Sequence, residues 1–262
     1  MTLTYERCCD EVLVQARALT ALLGSADLGR RVPTCPDWTL EELVEHVGRA
    51  HRWVTEIVRT RATDALRPED VPDAQAPKGD AAALSTWLVA GADRAAAALR
   101  EAGAGTRVWT WWTDRRTDFW ARRMVHETVV HRADACLAAG VPFTVTPEVA
   151  VDTIDEWLDL VSSPAVQEED EELRALRSRA GSSLHLHATD TPAGLGAEWL
   201  IELSGEGIAW RRDHAKATVA LRGELTDVLL AFYRRMPATD ERVEVLGDAE
   251  LLDFWLERVS FA

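Results

Sequence analysis

The sequence is short of positive charge and of lysine in particular. Its 262 residues include 44 acidic side chains against 29 basic ones, which gives a formal net charge of -15. Lys78 and Lys216 are the only lysines. Nucleic-acid binding depends on clustered Lys and Arg facing phosphates, so this composition predicts no nucleic-acid partner.

The chain also lacks long hydrophobic runs and a regular cysteine framework. The first residues, MTLTYERCCDEVLVQ, contain no basic start followed by an apolar run, and no uncharged apolar stretch approaches the about 18 residues typical of a membrane helix. The 4 cysteines include an adjacent pair and show no disulfide-scaffold spacing. We therefore expect reduced thiols, no membrane partner and a cytoplasmic location.

What the sequence does contain is enough apolar material for a packed core, at 47% hydrophobic residues. The first half has apolar residues at helical spacing, interrupted by Pro- and Gly-containing loops. A loop over 27–38 and a long exposed connection over 61–79 separate the helices. The pattern predicts a four-helix bundle with helices at 5–24, from Thr39 to about 60, 80–102 and 117–139.

The second half changes to α+β organisation. A helix over 147–162 leads into the acidic stretch QEEDEEL, which we interpret as a solvated surface or linker. Short strand-like runs follow, with a predicted hairpin turn at 204–207 and two further helices. The predicted strands are 184–188, 198–203, 208–212, 217–222 and 243–246, and the helices are 224–236 and 248–258. We expect an α+β protein with a bundle domain at 1–142 and a smaller α+β domain at 143–262.

The fourth predicted helix carries the most informative polar residues. Glu127 and His131 are four residues apart, so they share one helix face in an otherwise apolar line. Buried without partners they would be costly, so they need each other or a metal ion. A third ligand could come from His46 or His51 on the second helix, and spacing alone does not choose between them. His126 points away and is discounted.

Other nucleophilic and metal-binding side chains are weaker candidates. Cys35 could approach the site from its loop, although a small buried thiol is the commoner explanation. His185 and His187 share one face of a predicted strand, but no third ligand is evident, so we expect a polar sheet face. His214 lies in a predicted turn and receives no role.

Three stretches of the chain resemble a known family. They are VPTCPDWTLEELVEHVGRAHRW (32–53), RRMVHETVVHRADA (122–135) and WLIELSGEGIAWRRDHAKATVALRGELTDVLLAFYRRMP (199–237), the last followed by VLGDAELLDFW. They look like the signature segments of the mycothiol-dependent maleylpyruvate isomerase family, whose N-terminal half is a DinB-like metal-binding bundle. The likeness covers nearly the whole chain.

The resemblance implies a ligand set and a cofactor. By position it makes His46, Glu127 and His131 the metal ligands, and it selects His46 over His51. The expected cofactors are a divalent metal ion, zinc before nickel, cobalt or iron, and the low-molecular-weight thiol mycothiol. The chain has Ala133 where the family commonly has an aromatic residue, which puts the substrate in doubt.

The chemistry that the resemblance implies begins with a thiol that enters an open metal position and loses its proton. The metal-bound thiolate adds to an activated double bond, and rotation and expulsion then give cis-trans isomerisation. If the sulfur stays, the product is a thioether, so a mycothiol S-transferase acting on electrophiles is the first alternative. A non-catalytic protein that binds metal or a small ligand is the second.

The expected substrate is a small, anionic molecule that needs local positive charge. By resemblance Arg234 is the candidate carboxylate clamp, because a guanidinium offers two parallel donors. A surface arginine or an interdomain salt bridge is at least as good an explanation for Arg234, and Arg122, Arg123 and Arg222 are further candidates. The tryptophans of VWTWW (108–112) could line a pocket or pack in the core.

Overall fold

A computed structural model describes residues 2–259, apart from the side chain of Ala193. Its chain divides into two compact units: Leu3–Phe143, here called the N-terminal unit, and a C-terminal unit that starts at Thr144 and also takes in Thr2. Met1 and residues 260–262, which the predicted domains include, lie outside the described residues. Among the helices in residues 2–259, none combines the length and hydropathy needed to cross a bilayer.

The N-terminal unit is a bundle of four long helices, as the sequence predicts. Its helices are α1 (Tyr5–Leu23), α2 (Leu40–Thr60), α3 (Ala81–Ala102) and α4 (Thr117–Ala139). Both α1 and α2 pack against α3 and α4. This arrangement places the polar residues of α4 where they can meet those of α2.

The ends of these helices follow from local chemistry. Thr39 and Glu42 form a capping box at the start of α2, in which each side chain meets the other residue's backbone N–H. The Asp80 side chain accepts from the first N–H groups of α3. Gly140 ends α4 in the left-handed conformation, at φ 70°.

A glycine allows α2 and α3 to approach closely. A Cβ on Gly48 would lie 2.1 Å from the ring of Trp87 on α3. The Arg52 guanidinium stacks over that ring, 3.8 Å from its centroid, and donates to the carbonyls of Gly48 and Trp87. A side chain at position 48 would displace this packing.

The structure corrects the predicted loop at 27–38. Arg31–Val32 and Cys35–Thr39 pair as a small antiparallel hairpin, β1 and β2. This hairpin is difficult to predict from the sequence because Pro36 has no backbone N–H to donate. Proline is tolerated mainly in edge strands such as this one. Its tip carries Thr34 and Cys35 towards α4.

The connection over 61–79 has one 3-10 turn, at Pro68–Asp70. Two indole N–H groups tie it to the helices: Trp53 donates to the Leu66 carbonyl and Trp87 donates to the Asp73 carbonyl. Together with the bonds from Arg49 to the Ala74 carbonyl and from the Gly79 N–H to Glu41, they anchor the connection to the bundle at several points.

The C-terminal unit is a five-stranded sheet with helices, which confirms the predicted α+β class. The sheet order is β5-β4-β3-β6-β7, with β3 parallel to β6 and the other pairs antiparallel. The strands are β3 (Ser183–Ala188), β4 (Glu198–Ser204), β5 (Gly207–Arg211), β6 (Val219–Gly223) and β7 (Val243–Gly247). The helices are α5 (Pro147–Val161), α6 (Pro164–Glu169), α7 (Glu171–Ala175), α8 (Leu225–Phe232) and α9 (Ala249–Arg258).

Two predictions in this unit are refined by the structure. The acidic stretch is a solvated surface, with Glu168, Glu169, Glu171 and Glu172 exposed, but it is not a linker, because it belongs to α6 and α7 and the Asp170 side chain caps α7. Helix α8 ends at Phe232 rather than at position 236 because Arg234 adopts a left-handed backbone with φ 61°.

A buried tryptophan and a carboxylate join α5 to the sheet. The Trp199 indole on β4 is fully buried and donates to Asp155 of α5 over 2.7 Å. Asp155 also accepts from the guanidinium of Arg212, just after β5, and Arg212 donates to the Leu195 carbonyl over 2.8 Å. These bonds fix the chain on both sides of the β4–β5 hairpin.

Candidate functional site

The three residues that the resemblance selects as metal ligands lie together in the N-terminal unit. Oε1 of Glu127 is 2.9 Å from Nε2 of His46 and 3.2 Å from Nε2 of His131. The donor atoms of the three residues all lie within 4.8 Å of one another. Two imidazole nitrogens and a carboxylate oxygen therefore converge between α2 and α4.

Regular helix geometry produces this convergence. Glu127 and His131 occupy successive turns of α4, and the capping box sets where α2 begins and thus where His46 points. Trp38 of β2 packs its ring 4.7 Å from that of His46 and 6.1 Å from that of His131. The indole therefore covers one side of the cluster.

A buried carboxylate orients His131 from behind. Oδ2 of Asp134 lies 2.9 Å from Nδ1 of His131, and its other oxygen accepts from the Thr34 hydroxyl at the hairpin tip. A carboxylate on the far nitrogen fixes the ring and the tautomer of a metal-binding histidine. Sequence reasoning missed Asp134, although its place three residues after His131 on a helix was a usable signal.

The charges in the cluster are tightly coupled. Burial alone would raise the pKa of Glu127, but hydrogen bonds with His131 and His46 and the Arg123 guanidinium 3.3 Å away hold it well below its usual range. Burial alone would lower the pKa of His131, yet hydrogen bonds to Asp134 and Glu127 raise it to about 9. The site therefore keeps an ionised carboxylate and favours a positive charge beside it.

This donor set fits a divalent transition-metal ion. Mixed imidazole and carboxylate ligation suits zinc and its neighbours, and three protein ligands leave one position open. The side chain of His46 is 39% exposed, whereas that of His131 is largely covered. A small molecule can therefore reach the cluster from the His46 side.

The histidine that spacing left as an alternative makes different contacts. His51 is fully buried, and its Nε2 lies 2.9 Å from the Thr128 hydroxyl. That hydroxyl donates to the Met124 carbonyl over 2.7 Å, so it accepts from His51. Of the two candidates, His46 is the one whose ring meets Glu127.

Cys35 lies beside the cluster but on its far side. Its thiol is 3.9 Å from Oδ2 of Asp134, and its sulfur, Asp134 and His131 also have donor atoms within 4.8 Å of one another. It thus faces the opposite nitrogen of His131 from the one that meets Glu127. None of the four cysteines, all of which lie within the described residues, forms a disulfide.

Aromatic side chains pack two helical turns from the cluster. Trp53 lies seven residues after His46 on α2, and its ring is 5.3 Å from that of Trp120 on α4 and 5.4 Å from that of Trp109. In VWTWW, Trp109 thus joins an aromatic core, whereas Trp111 is exposed. The core interpretation thus holds for Trp109, whereas a pocket-lining role for this segment stays a prediction.

The candidate arginines are placed differently from one another. Arg123 lies one turn before Glu127 and contacts its carboxylate, while Arg222 pairs with Glu244 across β6 and β7. Arg234 is exposed in the C-terminal unit, at the left-handed residue after α8. Its assignment as a carboxylate clamp stays a prediction.

The structure corrects one expectation about the remaining histidines. His185 and His187 do not form a simple polar sheet face, because Glu198 and His214 join them in a second cluster. This cluster could not be predicted from strand periodicity, because His214 comes from a loop.

Comparison with protein families covers both units. Residues 9–136 match the model described as the mycothiol maleylpyruvate isomerase N-terminal domain. Residues 148–254 match the model described as the MDMPI C-terminal domain. Among curated protein sequences, none matches this chain.

Solved structures give the same picture of the fold. A crystal structure of the mycothiol-dependent maleylpyruvate isomerase is 16% identical in sequence, with a TM-score of 0.55. A crystal structure of a histidine-to-alanine mutant of that isomerase is 15% identical, with a TM-score of 0.56. Each alignment covers 94% of this chain and 95% of the other. At this identity the likeness supports a common fold.

Proposed function

This chain belongs to the mycothiol-dependent maleylpyruvate isomerase family, and on that premise we propose that it is a metal- and thiol-dependent isomerase. The substrate class is a small anion of the maleylpyruvate type, and the thiol is mycothiol. We place the enzyme in the reducing cytoplasm, which agrees with four cysteines that form no disulfide in the described residues.

One observation carries the proposal: Glu127 holds the imidazoles of His46 and His131 at 2.9 and 3.2 Å on a single carboxylate oxygen. This cluster is open to solvent on its His46 side, so a ligand can reach it. It has the donor types and spacing that a catalytic zinc site with three protein ligands requires.

The residues around the cluster have distinct roles in the proposed reaction. When bound, a divalent ion there would supply positive charge that lowers the pKa of an incoming thiol and leaves it as the reactive thiolate. Asp134 holds the His131 ring in place, and hydrogen bonds from His131 and His46, supported by the Arg123 charge, keep Glu127 ionised. Trp38 covers one side of the cluster, so small molecules approach past His46.

Sulfur chemistry then accounts for isomerisation without net change in atoms. Addition of the thiol sulfur to the carbon-carbon double bond leaves a single bond about which the substrate can rotate. Expulsion of the same sulfur restores the double bond in the trans geometry and returns the thiol. The enzyme thus needs the thiol as a cofactor and not as a consumed reactant.

We assign Arg234 to the substrate carboxylate. The residue is exposed, and its left-handed backbone at φ 61° is a strained conformation for a side chain other than glycine. Strain of this kind, about 1 to 3 kcal/mol, is often retained at ligand-binding positions. Its planar guanidinium suits bidentate binding of a carboxylate.

The test is turnover of maleylpyruvate by the full chain, with mycothiol and zinc each supplied or withheld. We expect activity that requires both, a loss of at least about 100-fold in His46→Ala, and a raised KM with a smaller change in kcat in Arg234→Lys. Arg234→Gly keeps the left-handed backbone accessible and serves as a control for strain.

Two other possible results of this experiment would each support one of the alternative functions. A thioether product that retains the thiol would make the protein an S-transferase. Zinc binding with neither activity would make the site a metal-binding site without catalysis. Turnover that persists after zinc removal would contradict the proposed role of the cluster.

A further inference from the structure

A second histidine cluster lies in the C-terminal unit, apart from the family's expected site. It consists of His185 and His187 on β3, Glu198 on β4 and His214 in the loop after β5, and it is here called the sheet cluster. All four donor atoms lie within 4.8 Å of one another. Three of the chain's 7 histidines therefore meet at one glutamate.

Strand register produces most of this cluster. His187 lies directly opposite Glu198 in the antiparallel pairing of β3 with β4, and His185 is on the same face two residues earlier. Because Arg211 at the end of β5 pairs with Leu200, the chain passes the level of Glu198 as it leaves β5 and brings His214 alongside.

All three rings approach the same carboxylate oxygen. Oε2 of Glu198 is 3.0 Å from Nε2 of His185, 3.1 Å from Nδ1 of His187 and 2.5 Å from Nδ1 of His214. A carboxylate oxygen has about two lone-pair directions, so it cannot serve three N–H donors well. The three nitrogens and the oxygen are instead arranged as ligands are around a metal ion.

His185 shows most directly that hydrogen bonding within the sheet cluster is incomplete. The His185 side chain is only 7% exposed, and its buried Nε2 lies 3.0 Å from Oε2 of Glu198 without forming a well-aligned hydrogen bond to it or to any other described residue. A buried imidazole nitrogen whose hydrogen bond is poorly made is unfavourable. A cation between the rings would satisfy this nitrogen together with the other donors.

The spacing of the rings matches metal coordination. Their centroids form a nearly equilateral triangle with sides of 5.5, 5.6 and 5.6 Å. Three imidazoles that bind one ion tetrahedrally at about 2.1 Å place their centroids about 5 Å apart. A contraction of a few tenths of an ångström would complete the site.

The surrounding contacts hold the ligands in position without a metal. Arg212, two residues before His214, is anchored to Asp155 of α5 and to the Leu195 carbonyl. Asp155 also accepts from Trp199, the neighbour of Glu198. The two chain segments that supply Glu198 and His214 are therefore fixed by the same buried carboxylate.

The geometry points to a second metal site here, which takes a divalent first-row transition ion of the zinc class. Three imidazoles and one carboxylate suit zinc, cobalt, nickel or copper, whereas magnesium and calcium require oxygen ligands. Four protein ligands close the coordination sphere, as in structural zinc sites, so the ion would tie the loop after β5 to β3 and β4.

Zinc stoichiometry of the full chain tests this site. After chelator treatment and dialysis, equilibrium dialysis against zinc alone should give two ions per chain in the wild type. His214→Ala should lose one ion and keep its circular dichroism, because the His214 side chain is 73% exposed. The three remaining ligands should bind zinc at least about 100-fold more weakly than the complete site does. This loss is larger than the one expected from replacing a residue that only contacts a ligand.

A matched pair of glutamates provides the control. Glu198→Gln should lose the same ion as His214→Ala, whereas Glu202→Gln, on the same face of β4, should retain it. In a Glu127→Gln background one ion should remain and should disappear when His214→Ala is added. An ion that survives in this double variant at unchanged affinity would overturn the site.

The outcomes separate this site from the proposed active site. If the wild type binds one ion that is lost in Glu127→Gln and kept in His214→Ala, the sheet cluster is not a metal site and the proposed function stands. If the single ion is kept in Glu127→Gln and lost in His214→Ala, the sheet cluster stands and the proposed catalytic metal fails.

Discussion

At the scale of single residues, three histidines of the N-terminal unit differ because of what each ring faces. His46 is half-exposed and meets Glu127, while His131 lies between two carboxylates that raise its pKa to about 9. His51 faces only a hydroxyl on one side, and burial lowers its pKa to about 4. The rings of His131 and His51 therefore carry different charges at neutral pH.

The buried ring of His51 should make stability depend on pH. Its folded pKa of about 4 is below the unfolded value of 6.5, so the unfolded chain binds more protons between these values. The stabilising contribution is therefore present above about pH 6.5 and is lost as the pH falls towards 4. We expect its contribution to the free energy of unfolding to be about 2 kcal/mol lower at pH 5 than at pH 7.

The comparison is urea unfolding of the wild type and His51→Leu at both pH values. The substitution does not leave the Thr128 hydroxyl without a hydrogen bond, because Thr128 still donates to the Met124 carbonyl. Its free energy of unfolding should fall less than that of the wild type between the two pH values. Equal falls in the two proteins would contradict the assignment.

The sequence predicted only those site residues whose positions follow from helix periodicity. Four-residue spacing placed Glu127 and His131 on one face, but it could not choose His46 over His51, since that depends on how α2 is rotated against α4. Asp134 was within reach of the same periodicity. The Thr34 contact was not, because it requires the path of the hairpin before α2.

At the scale of elements, helices with clear caps were predicted to within a few residues, whereas irregular backbone was not. Thr39 and Gly140 mark the start of α2 and the end of α4 in the sequence as in the structure. The two-residue strand β1 has no periodicity to detect. Helix α8 stops early because of the conformation of Arg234, which no local propensity predicts.

The contact of α2 with α3 gives a prediction at this scale. Gly48→Ala should destabilise the bundle by about 1 to 3 kcal/mol, because the added Cβ would overlap the Trp87 ring that Arg52 stacks upon. This outcome opposes the gain of about 1 kcal/mol that alanine brings to an open helical position. Denaturant unfolding at constant pH measures the difference.

Gly24→Ala is the matched control for that measurement. Gly24 has an ordinary φ of -64°, and nothing lies within 4 Å of the position its Cβ would take. The control should be unchanged or slightly more stable. A Gly48→Ala variant as stable as the Gly24→Ala protein would show that the helices can separate at no cost.

At the scale of the whole molecule, each unit contains one histidine-rich cluster centred on a glutamate. In the N-terminal unit the cluster follows from two helices, and in the C-terminal unit it follows from strand register and a loop. The first could be anticipated in part from the sequence, whereas the second could not, since His214 reaches Glu198 only through the path of the chain after β5. The chain's negative charge lies mainly in the C-terminal unit, where residues 144–262 carry 24 acidic and 11 basic side chains against 20 and 18 in residues 1–143, so it favours cation binding there.

The central claim is that His46, Glu127 and His131 hold one cation, and calorimetric titration of the full chain with zinc tests it most directly. We predict that Glu127→Gln binds one fewer ion than the wild type with unchanged helix content, while Glu45→Gln, a change next to His46, binds as the wild type does. Equal zinc stoichiometry and affinity in Glu127→Gln and the wild type would contradict the account.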